Sequence, residues 1–188
     1  MNNKINSNPI TWPAGVDNMG GYKAYVLFIP FACVKTPPKI PALEDIQGDA
    51  DAVTATGAFV FKDPATFGKP KLIICTDKTV SYSAENQGEI EGQSFAISGE
   101  FFRAGSLTEA SAFARQVNNT PGYLVIEDMH GKQQLVGAPF LPANISPSFE
   151  GGQSRDDRRG FRFTYSADSV APVVYLETKI DVEALLEE

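Results

Sequence analysis

Few residues in this 188-residue chain have the types and spacing that chemistry needs. The one histidine, His130, stands in a turn-like Asp-Met-His-Gly-Lys run, which rules out a metal site or triad built on several histidines. Its expected place is a turn, with the ring in solvent. Cys33 and Cys75 lie far apart, each among apolar neighbours and in no metal-ligand spacing, so both are expected to be buried, inert thiols. Glu89 and Glu91 form the one carboxylate pair that acid–base work could use. They are placed two apart on one strand face among Gly and polar residues, where nothing apolar raises a pKa, and a solvated face is the expectation. No phosphate-binding loop, dinucleotide fingerprint, calcium loop or nucleophile elbow is present. The sequence therefore predicts no enzyme, no metal and no cofactor.

One dense charge cluster remains, Ser154-Arg155-Asp156-Asp157-Arg158-Arg159, bracketed by Gly151-Gly152 and Gly160. Three readings are open. Arg forks could clamp a phosphate, although two adjacent Asp nearly cancel the charge. The loop could be a solvated one with scattered ion pairs. Alternating signs also suit a contact between subunits, because wrong registers bring like charges together.

The net charge of −7 is unevenly distributed. Glu44, Asp45, Asp49 and Asp51 form one acidic stretch, and Glu85, Glu89, Glu91 and Glu100 a second without any base between them. The tail from Glu177 to Glu188 is a third, opposed only by Lys179. Nucleic-acid binding depends on Lys and Arg neutralising phosphates, so such a chain is expected to repel DNA rather than grip it. The opening MNNKINSNPITWPAG has no apolar run of the kind a signal peptide or membrane span needs. Synthesis in the cytoplasm and no membrane partner are the expectations.

The positioning elements are mostly strands. Thirteen Phe and six Tyr favour sheets. Residues 1–21 read as an extended arm with Trp12 as its anchor. Residues 22–176 read as a single β-rich domain, and 177–188 as an acidic tail. Tyr22–Val34 predicts a long strand bent at Pro30, and the Pro-rich run from Lys35 to Pro41 a polyproline-like crossing. Val53–Lys62, Lys71–Thr76 and Thr79–Ser83 read as further strands. Phe95, Ile97 and Phe101 alternate with polar residues as in a half-buried strand, and Gly99 between them marks a bulge or a close backbone approach. Ser106-Leu107-Thr108-Glu109 predicts a capping box. Leu107, Ala110, Phe113, Ala114 and Val117 then give one apolar helix face, which Asn118–Gly122 ends. Residues 123–137 read as a hairpin, Ile145–Phe149 as a strand, Phe161–Tyr165 as the cleanest amphipathic strand, Val173–Leu176 as the last strand, and Val182–Leu186 as a helical turn. The expected class is mainly β: two packed antiparallel sheets or a partly closed barrel, with one flanking helix.

The run from EGQSFAISGEFFRAGSLTEASAFARQVNN through the Asp157-Arg158-Arg159-Gly160-Phe161 segment to VVYL, about residues 88–176, resembles tail proteins of bacteriophages and prophages of Bacteroidetes-type hosts. A strand-rich chain with one flanking helix also resembles the tail tube family and, more distantly, tube proteins of contractile injection systems. That resemblance implies roughly orthogonal sheets, six subunits per ring, and stacked rings forming a passive conduit for phage DNA inside the virion tail. Its implied partners are further copies of the chain and other tail proteins, with DNA passing through unbound. In that setting Trp12, Arg155, Asp156, Asp157, Arg158 and Arg159 are the candidates for contacts between subunits. Glu89, Glu91 and Glu100 are the candidates for a phosphate-repelling lumen. A head–tail adaptor or capsid decoration protein is the alternative, and an aromatic-lined barrel for an apolar ligand a more distant one.

Overall fold

The computed structural model describes residues 8–11, 15, 17–154 and 156–185. Its strands are β1 (Tyr22–Pro30), β2 (Val34–Thr36), β3 (Thr54–Ala55), β4 (Val60–Phe61), β5 (Lys71–Ile74), β6 (Ser83–Gln87), β7 (Ser94–Ala104), β8 (Gly122–Asp128), β9 (Gln133–Val136), β10 (Asn144–Glu150), β11 (Gly160–Ser169) and β12 (Tyr175–Leu176). A single-turn helix α1 (Pro64–Phe67) and the longer α2 (Thr108–Val117) complete the regular elements alongside three 3-10 turns. The chain is mainly β with packed, largely antiparallel sheets and no closed barrel.

Six strands form one sheet in the order β3-β12-β9-β8-β1-β5, four form a second in the order β10-β11-β7-β6, and β2 pairs with β4. The sheets are antiparallel as expected except at one pair. β12 runs parallel to β3, through Tyr175 beside Thr54 and Leu176 beside Ala55.

The six-stranded sheet is covered on both faces, which explains why β1 and β8 are apolar without alternation. Val26, Phe28, Leu124 and Ile126 face the four-stranded sheet, where they meet Ile97, Phe101, Phe163 and Tyr165. Leu27, Ile29, Tyr123 and Val125 point the other way, into a second core completed by Cys33 of a 3-10 turn, Ala55 of β3, Leu176 of β12 and Val174 beside it. Between the sheets Phe101 and Phe163 stack at 5.0 Å. The rings fill the space that a ligand-holding barrel would leave open. Phe113 of α2 bridges the layers, with its ring 6.0 Å from Phe28 and 5.4 Å from Phe163.

Several expected elements shift. β1 ends at Pro30, and a 3-10 turn separates it from β2, which takes in the start of the Pro-rich crossing. Val53–Lys62 is not a continuous strand, because Gly57 at φ 85° turns the chain between the short β3 and β4. Thr79–Ser83 enters regular pairing only at Ser83, the first residue of β6. Before that, hydroxyls supplement one backbone bond: Ser81 N donates to Glu100 O at 2.9 Å, while Ser81 Oγ accepts from Glu100 N at 3.0 Å and Thr79 Oγ1 from Phe102 N at 3.3 Å. The capping box does not form. α2 starts at Thr108 with Leu107 in the cap position and no side-chain cap, while Glu109 in the first turn complements the helix dipole. Gly99 marks a close approach, as expected: a Cβ there would lie 2.2 Å from Ser81 O and 2.4 Å from Tyr165 Oη.

The acidic C-terminal segment is tied to its own body through residue 185. Gln133, almost fully buried on β9, donates from Nε2 to Ile180 O at 2.9 Å and accepts from Ile180 N at 2.8 Å. Glu177 accepts from Gly57 N at 2.8 Å, and Ile180 and Leu185 pack on the second core. No helix among the described residues is long and apolar enough to cross a membrane.

Candidate assembly and channel surface

Alternation along a strand sends every second side chain to the opposite face. In the four-stranded sheet the inward set builds the core, and the pairing register fixes what is left outside. Cross-strand partners on the outer face are Ser83 with Ser98, Glu85 with Ala96, Ser98 with Ser166, Glu100 with Thr164, and Thr164 with Ser146. Ser148 lies opposite Arg162, and Asp168 opposite Ala96. The face is therefore a lawn of Ser, Thr and Ala carrying four carboxylates, Glu85, Glu100, Glu150 and Asp168, against Arg162 on its strand and Arg158 reaching over its end from the adjoining loop.

Arg162 is bound to two of those carboxylates. From Nη1 it donates to both oxygens of Glu100, at 2.9 and 2.8 Å, and from Nε to Glu150 Oε1 at 2.6 Å. Both acids sit diagonally across the ladder from it, where long side chains reach. The Arg162 hydrogen bond holds Glu150 below the usual carboxylate range, and the two carboxylates raise Arg162 further above its ordinary value. The one large apolar residue facing out, Phe102, is shielded by Arg158, whose guanidinium lies 5.3 Å from the ring centre, and by Arg162 at 6.0 Å.

Glu100 thus lies on this face, but it is compensated, which the acidic run in the sequence did not reveal. Glu89 and Glu91 are not on a strand face at all. They occupy the turn between β6 and β7, fully exposed on either side of Ile90, and Glu91 takes the left-handed conformation at φ 76°. The residues missed were Glu150, Asp168 and Arg162, whereas Glu85 belonged to the acidic stretch the sequence had already singled out. The alternating Arg162-Thr164-Ser166-Asp168 pattern was the available signal, but only register shows which neighbours share the face.

The charged loop between β10 and β11 is partly self-contained. Asp157 Oδ2 accepts from the backbone amides of Ser154 and Gln153, both at 2.7 Å, and these bonds hold its carboxyl below the ordinary range. Asp157 shapes the loop, Arg158 covers Phe102, and Asp156 and Arg159 stay exposed. Trp12 and Arg155 fall outside the described residues. Of the arm, Asn8 binds Asp49 through its backbone and side-chain amides, while Ile10 is fully exposed.

The remaining candidates for chemistry are structural. Cys33 and Cys75 are free and buried, and burial pushes the Cys75 thiol up to about 12. His130 is exposed on the β8–β9 turn, whose shape comes from Asp128 accepting the Lys132 amide at 2.8 Å. Among the described residues Glu127 is the one buried carboxylate, 7% exposed. Burial by itself would raise its pKa, but hydrogen bonds from Lys23, Tyr25 and Gln133 outweigh that and lower it. The result is a polar tie between β1, β8 and β9.

Comparison with protein-family profiles, curated proteins and solved structures returns no match to this chain.

Proposed function

We propose that the chain is a structural virion protein, the major subunit of a phage tail tube, whose copies join head to tail into rings and stack into a conduit for DNA. The observation that carries this reading is the outer face of the four-stranded sheet. It combines small hydroxyl side chains with four carboxylates against two cations, Arg162, bound to Glu100 and Glu150, and Arg158, laid over Phe102. DNA adheres to proteins through unpaired Lys and Arg, so a wall on which carboxylates outnumber cations two to one favours phosphates sliding past over their binding. Glu100 keeps its place in that lining, joined by Glu85, Glu150 and Asp168, whereas Glu89 and Glu91 lie beyond the edge of the face.

Two further features support the reading. The four-stranded sheet leaves β6 and β10 as open margins, and β10 carries Pro147, which has no amide to offer a partner. Neighbouring copies in a closed ring would cover both margins. The sandwich interior is filled by stacked aromatics, so the purpose of the chain lies at its surface.

Electron microscopy of the purified protein and of the native particle tests the proposal. Annular or tubular assemblies, with many stacked copies along the tail, are expected. Twelve or fewer copies at the neck would make the chain a connector, copies on the head a decoration protein, and monomers at every concentration and salt would end the structural reading.

A further inference from the structure

A groove of about 500 Å3 runs between α2 and the outer edge of β5. Its floor is apolar, with Ile73, Leu107, Ala110 and Phe113 among its lining residues, and Leu107 and Ile74 are left nearly half exposed. Lys71 and Arg103 also line it, and neither is in an ion pair among the described residues; Glu109 is the one acid there. β5 closes the six-stranded sheet on this side. Cys75 N donates to Ala24 O on the β1 side, so by alternation the backbone groups of Leu72 and Ile74 point outward, unpaired. An apolar slot with two free cations and an open strand edge is an incomplete surface.

The complementary shape is on the same chain. The β6–β7 turn presents Ile90, 85% exposed, between Glu89 and Glu91. The turn is tight. Gly92 N closes onto Glu89 O at 3.0 Å, Gly88 sits at φ 95°, and Glu91 holds a left-handed conformation at φ 76° that non-glycine residues rarely adopt. An apolar knob flanked by two carboxylates matches an apolar slot flanked by two cations. Phe140 is equally exposed but is flanked by Pro139 and Leu141, with no charge to match the groove. The knob and groove of one molecule lie on different elements, so a copy that inserts its knob into a neighbour leaves its own groove for a third, and this head-to-tail form of the contact propagates into rings or filaments.

We infer that the occupant of the α2–β5 groove is a second copy of this chain, which inserts Ile90 into the slot and sets Glu89 and Glu91 against Lys71 and Arg103. The inference deepens the proposed function, on which it rests only in requiring that copies join. The turn terminates the open β6 margin, so the contact lies where that reading already needs a neighbour.

A charge swap tests it by sedimentation velocity. Glu89→Lys with Glu91→Lys, and separately Lys71→Glu with Arg103→Glu, are each expected to weaken self-association at least tenfold. An equimolar mixture of the two double variants should restore it, because each reversed tip then meets a complementary groove. A second arm does not depend on charge. The Ile90→Cys/Leu107→Cys variant, mildly oxidised, should give a ladder of disulfide-linked oligomers on a non-reducing gel, with the native thiols remaining buried. If the wild type assembles while the charge variants associate equally well or the cysteine pair gives no ladder, the tip and groove are idle. The inference then falls and the structural reading stands. A wild type that stays monomeric throughout overturns both.

Discussion

Arg162 and Glu100 face each other diagonally across β11 and β7, the guanidinium Nη1 within 2.9 Å of both carboxylate oxygens. The same guanidinium holds Glu150 of β10, so one cation links three strands of the outward sheet face. Arg162→Ala is expected to lower the urea midpoint and to leave Glu100 and Glu150 repelling each other. In a double-mutant cycle with Glu100→Ala the two effects should be non-additive, and the coupling should shrink as salt is raised, because the groups are partly exposed. Additive effects at low salt would mean the pair contributes nothing.

Glu127 ties β1, β8 and β9 together, and its pKa is lowered in the folded chain. A carboxyl of that kind stabilises the fold above its ordinary value of about 4.3 and loses that contribution as pH falls through the lower folded value. Glu127→Gln should therefore cost about 1–2 kcal/mol at neutral pH, a modest figure because Lys23 is half exposed. The gap between variant and wild type should close as the pH drops below about 4. Urea titrations at pH 7, 5 and 3.5 measure it, and a gap independent of pH would contradict the assignment.

The single-residue detail at Gly99 gives a sharper expectation. Tyr165 Oη donates to Ser81 O at 2.7 Å directly over the position that a Cβ would occupy. Both obstacles are fixed: one is backbone, and the other is the end of a ring clamped in the core. Gly99→Ala should destabilise by about 2 kcal/mol or more, with loss of the Tyr165 hydrogen bond. A neutral effect on the thermal midpoint would show that the strands can part there.

How much of this was legible in the sequence depended on whether local chemistry or register decided. Tyr22–Pro30 and Gly122–Asp128 were visible because strands buried on both faces are apolar throughout. The β8–β9 hairpin, α2 and the Phe161–Tyr165 strand followed from periodicity alone. Gly99 was recognisable because a glycine inside an alternating strand has few explanations. The capping box failed because helix entry is set by where the chain leaves β7, and Leu107 reached the cap position instead of Ser106. Val53–Lys62 failed because a glycine turn overrode the alternation. The outward face could not be assembled from composition. Glu85, Glu100, Glu150 and Asp168 lie on four different strands, and only cross-strand pairing places them together around Arg162. Glu89 and Glu91 looked like part of that set only because they are neighbours in sequence.

Ser98, Thr164 and Ser166 are exposed on the outward face. Each can be replaced by Lys at little cost to the fold, since the long side chain extends into solvent and surface changes of this kind are usually within about 0.5 kcal/mol. If this face lines a DNA conduit, a subunit carrying Ser98→Lys, Thr164→Lys and Ser166→Lys should assemble normally. Each ring would then add unpaired cations that phosphates can bind. DNA ejection from particles built with that subunit should slow markedly at low salt and recover as salt rises, because binding through counterion release weakens with ionic strength. Ejection rates equal to wild type at every salt concentration, with assembly intact, would put this face on the outside of the particle and remove the main support for a conduit.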